Sequence, residues 1–144
     1  MKLRKAVGRM DYVRDEVDTA IDAIEARDYA AAVKILAPLS EQGNAKATIN
    51  LALLYSCGWG VALDAPRAEE MYLRVGQLGI REGLISAVAY NNLGTMHLQG
   101  PPGIERDDEK AEKYFRLADE LGLPYQRFGG DATSTVVKSE IGGA

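Results

Sequence analysis

Cys57 is the only cysteine in 144 residues. An intramolecular disulfide is therefore excluded, and with it the support on which small secreted domains rely. A reducing, cytoplasmic setting is the expectation. His97 is the only histidine, and one histidine with one cysteine cannot build the usual zinc set. Basic charge is not in surplus either: the formal net charge is −4, unlike the positive surface of a nucleic-acid-binding domain. No apolar run approaches the length of a membrane span. The basic opening, Lys2, Arg4, Lys5 and Arg9, meets Asp11, Arg14, Asp15 and Glu16 at once, so it lacks the apolar core of a signal peptide. Residues 1–11 read as a solvated basic tip.

Catalytic motifs are absent as well. Neither Ser-x-x-Lys nor Gly-x-Ser-x-Gly occurs. Gly58-Trp59-Gly60 lacks the Lys-Ser or Lys-Thr of a phosphate loop, and it follows a helix C-terminus, whose negative end repels anions. Asp107, Asp108 and Glu109 are a carboxylate cluster, but acids are stabilising at the helix start where they fall. Cys57 has no histidine at motif distance and reads as a buried, inert thiol. His97, in the last turn of a helix, reads as a core or capping residue. The expectation is a chain that is not an enzyme and carries no cofactor and no metal.

What the sequence does have is an internal repeat. Leu51 to Gly79 returns as Leu93 to Gly122. Leu51 answers Leu93, Gly58 answers Gly100, Asp64 answers Asp107, Ala68 answers Ala111, and Gly79 answers Gly122. The offset moves from 42 to 43 where the second copy carries one extra loop residue. A shorter pattern occurs three times. An alanine, with partners three, four and seven residues on, is followed by a glycine eleven residues after it: Ala32 to Gly43, Ala68 to Gly79, Ala111 to Gly122. The spacing places the apolar set on one helix face, and the glycine supplies the left-handed conformation that ends a helix. Units of this kind stack into one shared core.

Six helices follow from the pattern. The first spans Tyr12 to Arg27 on a stripe of Val13, Val17, Ala20, Ile21 and Ile24. The second, Tyr29 to Gln42, is capped by Asp28, and Pro38 predicts a kink or an early end within it. The third, Ala45 to Cys57, follows Asn44 and is apolar nearly all round, so it should be enclosed by neighbours. Asp64 caps the fourth, which Pro66 opens and Gly79 closes. Six additional residues after Gly79 either extend the fifth helix backwards or form a bulging turn. The fifth helix is placed at about Leu84 to Gln99, and the sixth at Asp108 to Leu121 behind the cap Asp107. The helix pairs are thus about 12–42, 45–78 and 84–121. Residues 123–144 have no helical stripe and read as a mostly disordered tail, with a segment that could fold back on the last pair.

The carrying residues Asn50, Leu51, Tyr55, Gly58, Gly60, Val61, Asp64, Ala68, Tyr72 and Gly79 resemble the Sel-one-like repeat, a relative of the tetratricopeptide repeat. The second copy keeps Asn92, Leu93, Gly94, Gly100, Gly103, Ile104, Asp107, Lys110, Ala111, Phe115 and Gly122. The resemblance runs from about Asp28 to Gly122. It departs where His97 replaces the tyrosine that Tyr55 supplies, where Ala52 stands opposite Gly94, and where Val75 and Gly76 replace an alanine pair. The resemblance implies an all-α fold, a short right-handed superhelix of about three antiparallel helix pairs. It implies a scaffold or adaptor whose first helices line a concave face.

On this reading the partner is another protein or peptide. The residues placed to meet it are Lys46, Asn50, Trp59, Tyr90, Asn91, Asn92 and Gln99. Trp59 is either a binding anchor or a cover over the open end of a helix pair. Asn50 and Asn92 occupy equivalent places and either contact a peptide backbone or make a structural hydrogen bond between helices, as buried amides need partners. Two alternatives stand beside the adaptor. One is a homodimer or higher assembly through Tyr114, Phe115 or the tail. The other is a small-ligand protein or enzyme using the groove, which requires convergent polar groups with perturbed titration.

Overall fold

A computed structural model describes residues 14–122. Residues 1–13 and 123–144, with the basic tip, Tyr12, Val13 and the tail, lie outside the described residues. The order is α1 (Glu16–Glu25), α2 (Tyr29–Glu41), α3 (Ala45–Cys57), α4 (Ala65–Gly76), a 3₁₀ turn (Gly79–Arg81), α5 (Leu84–Gln99) and α6 (Asp108–Glu120). Each helix packs on the next along the chain, and α3 also meets α1 and α5. The described chain is an all-α solenoid of three helix pairs.

The helix starts follow from short polar side chains. The carboxylates or amide of Asp28, Asn44, Asp64 and Asp107 accept the backbone N–H of Ala31, Ala47, Arg67 and Lys110, at 3.2, 2.9, 3.1 and 2.9 Å. α1 begins later than its apolar stripe suggests. Asp15 and Asp18 form a reciprocal capping box, each accepting the other's backbone N–H, which fixes the start at Glu16. α3 is enclosed as its composition requires: Ala47 through Leu54 are all buried.

Two expectations differ from the structure, and between two alternatives left open after Gly79 the structure decides. α2 runs through Pro38 to Glu41, so the early end does not occur. α4 stops at Gly76, three residues before Gly79. A β-carbon on Gly76 would lie 2.9 Å from the ring of Tyr90, so glycine there admits the next helix pair closely. The residues after Gly79 form the bulging turn: a 3₁₀ turn followed by Gly83, at φ +51, with α5 starting at Leu84. Ser86 seals this corner by donating its hydroxyl to the Val75 carbonyl at 2.8 Å while fully buried.

Both repeats close their loops alike. Gly58 and Gly100 end α3 and α5 in the left-handed conformation. The backbone N–H of Asp64 then donates to the Tyr55 carbonyl, and that of Asp107 to the His97 carbonyl, each at 2.9 Å.

Candidate functional site

The residues named from the sequence fall into three groups. Asn50 and Asn92 are buried, 1% and 3% exposed, and present no surface to a partner. Asn50 Nδ2 donates to the Lys46 carbonyl at 2.8 Å, one turn back in its own helix, so its bond is not the interhelical one expected. Lys46 is committed elsewhere. Its ammonium lies 2.9 Å from Asp18 Oδ1 and 3.4 Å from Asp15 Oδ2, with 13% of its side chain exposed. It ties the first helix pair to α3 rather than standing free. Asn91 is half-buried and Gln99 exposed, both on α5.

Trp59 is both packed and exposed. Its ring stacks on Tyr29, with centroids 4.9 Å apart and planes 18° from parallel, yet the residue is 39% exposed. The stack is set by backbone. Gly60, at φ +73, presses the loop onto the start of α2, where a β-carbon would come within 2.8 Å of the Tyr29 carbonyl. Leu63, 49% exposed, lies in the same loop. An exposed indole held by a neighbouring ring loses little freedom when it binds.

Tyr90 belongs to a cluster between the second and third helix pairs. It stacks on Tyr114 at 6.0 Å, and Tyr114 stacks on His97 at 5.6 Å. Burial pushes both tyrosine hydroxyls above their ordinary titration range. The charge of Tyr114 adds to this at Tyr90, and that of Glu69 adds to it at Tyr114. His97 is 4% exposed. Its Nε2 lies 2.7 Å from Glu69 Oε2, but the approach lacks hydrogen-bond alignment, and Nδ1 has no partner. Phe115 is buried and Tyr114 half-buried in this packing.

Glu69 and Arg67 are the residues that the sequence reading missed. The guanidinium of Arg67 lies over the Tyr55 ring, 4.4 Å from its centroid, a cation–π contact. Glu69 stands, in the repeat register, where Val33 stands in the preceding helix pair, and His97 stands where Tyr55 does. Two apolar or aromatic positions thus become a charged one and an imidazole together. That paired change was the available signal.

Cys57 is half-buried and free. Burial raises its thiol above the ordinary range, with the Ser56 hydroxyl opposing the shift, so it is a poor nucleophile at neutral pH. Among the described residues, no helix is long and apolar enough to cross a membrane, and no group of three or more His, Cys, Asp or Glu is placed to hold a metal ion.

The Sel1 repeat family matches residues 45–79 and 87–123. Among solved structures, the crystal structure of a Sel1 repeat protein from Oxalobacter formigenes is similar at 31% identity with a TM-score of 0.59, covering 72% of this chain and 40% of that one. The chain thus spans less than half the length of that relative. No curated protein matches. The two family matches coincide with α3–α4 and α5–α6, the pairs whose loops close identically on Tyr55 and His97, and the chain belongs to the Sel1 repeat family.

Proposed function

We propose that the chain is a non-catalytic interaction module, a scaffold or adaptor, which binds another protein or peptide on the face lined by its first helices. Sel1 repeats are in general helical interaction repeats, and that supports the class. The observation that carries the reading to this chain is Trp59: an exposed aromatic ring, already ordered by its stack on Tyr29, of the type that dominates interface energies. Tyr90, Asn91 and Gln99 supply the polar and aromatic rim. Binding to such a preformed surface needs little change of shape. The unpaired thiol of Cys57 supports a reducing, cytoplasmic compartment.

Self-association is the second reading, supported by the exposed apolar residues Leu78 and Ile80 in the turn between the second and third pairs, 37% and 90% exposed. Light scattering of the purified chain at tens of micromolar separates the two. A monomer supports the adaptor, whereas a dimer abolished by Ile80→Lys supports assembly.

A further inference from the structure

Between the second and third helix pairs lies a recess of about 200 Å³, walled by Glu69, His97, Ile104, Glu105, Asp107 and Lys110. We infer that it receives the cationic head of a basic side chain, an arginine guanidinium in preference to a lysine ammonium, presented by the bound protein. The inference rests on the interaction reading and names the chemistry of the partner.

The first support is an unmet need for a donor. His97 Nδ1 is buried without a hydrogen bond; Nε2 meets Glu69 Oε2 at 2.7 Å, and the imidazole side chain is only 5% exposed. With Nε2 turned to a carboxylate, which only accepts, Nδ1 is left as the accepting nitrogen of the ring. Buried polar atoms in folded proteins are almost always partnered. The group missing at Nδ1 is therefore a donor.

The second support is charge. Three carboxylates face one ammonium in the wall, and Glu105 and Asp107 stand exposed at its mouth. Asp107 Oδ1 accepts the Lys110 backbone N–H at 2.9 Å. Such a mouth attracts cations. A metal ion does not suit it, because no three ligating side chains converge among the described residues. The volume is below the range of drug-sized ligand pockets and suits a single side-chain head.

The third support comes from the other repeat. Tyr55 occupies the position equivalent to His97, and the guanidinium of Arg67 lies over its ring. The counterpart of Arg67 in the second repeat is Lys110, whose compact, strongly hydrated ammonium cannot reproduce a planar fork. The first repeat covers this ring with its own guanidinium, and the second has only an ammonium in the wall of the recess.

The test uses the full chain with 15N-labelled histidine. His97 is the only histidine, so its two ring nitrogens report on this place alone. The probe is N-acetyl-arginine methylamide, with the uncharged citrulline counterpart as control at matched ionic strength. A saturable shift in the millimolar range with arginine and none with citrulline is expected. Glu69→Gln should weaken it about tenfold, the worth of a hydrogen bond to a charged group. Lys110→Ala should strengthen it by removing a like charge, an effect that a merely structural role would not produce. No saturable shift with arginine, an equal shift with citrulline, or weakening in Lys110→Ala overturns the inference. Failure to capture any protein partner while arginine still shifts His97 would sink the adaptor reading instead and leave the recess standing.

Discussion

His97 Nε2 stands 2.7 Å from Glu69 Oε2 across the junction of the second and third helix pairs, where the equivalent positions of the preceding junction are Tyr55 and Val33. A polar pair, with His97 buried and Glu69 half-buried, has thus taken the place of an apolar one. Replacing buried charged pairs by apolar groups is often neutral or stabilising, by about 1–4 kcal/mol. The double variant Glu69→Val/His97→Tyr, which restores the pattern of the first repeat, should therefore fold and be at least as stable as the parent. Thermal or denaturant unfolding measures it, and a loss beyond about 2 kcal/mol would mean that the pair contributes stability rather than a site.

Gly94 predicts the opposite sign. A β-carbon there would lie 2.6 Å from the ring of buried Phe115. Alanine should gain about 1 kcal/mol of helix propensity and lose about 1–3 kcal/mol to overpacking. Net destabilisation is expected in Gly94→Ala, and Phe115→Leu in the same chain should recover part of it. Additive losses in a double-mutant cycle would contradict the packing account.

The tyrosine pair fixes a response to alkali. The hydroxyls of Tyr90 and Tyr114 titrate above their ordinary value in the folded chain because burial disfavours the phenolate. Their raised values contribute stability that is fully present below about pH 10, the ordinary tyrosine value. It is lost as pH climbs through the folded values. Ultraviolet titration should show late-ionising tyrosines that vanish in Tyr90→Phe and Tyr114→Phe. If every tyrosine ionises together near the ordinary value, the burial argument fails.

Cys57 should react slowly. Its raised thiol leaves little thiolate at neutral pH, so alkylation by iodoacetamide should be slower in the folded chain than after unfolding. Equal rates would show that its surroundings do not protect it.

The local grammar of the chain was legible in the sequence because it is written within one or two turns. Asp28, Asn44, Asp64 and Asp107 each cap the helix that follows them, and the burial of α3 follows from its own composition. The long-range pairings were not legible. Lys46 reads as an exposed cation until Asp18, 28 residues earlier, is placed 2.9 Å from it. Asn50 reads as available until packing buries it. Glu69 and His97 lie in separate helices, and only the alignment of one repeat on the other shows that both changed. α4 ends at Gly76 rather than Gly79, and the Tyr90 ring leaves no room for a β-carbon at Gly76, a demand set by the next helix pair.

Trp59 allows the central claim to be tested against a structural role. Its removal costs the stack on Tyr29, an aromatic pair worth about 0.5–1.5 kcal/mol beyond area burial. An interface anchor is worth about 2 kcal/mol or more to the complex. The most direct measurement is affinity capture from a lysate of the source cell, run in parallel with a Trp59→Ala variant whose unfolding curve shows an intact fold. The account predicts one stoichiometric protein retained by the parent and lost with the variant. A partner held equally by both, or no partner beside a chain that light scattering shows to be a dimer, would contradict it.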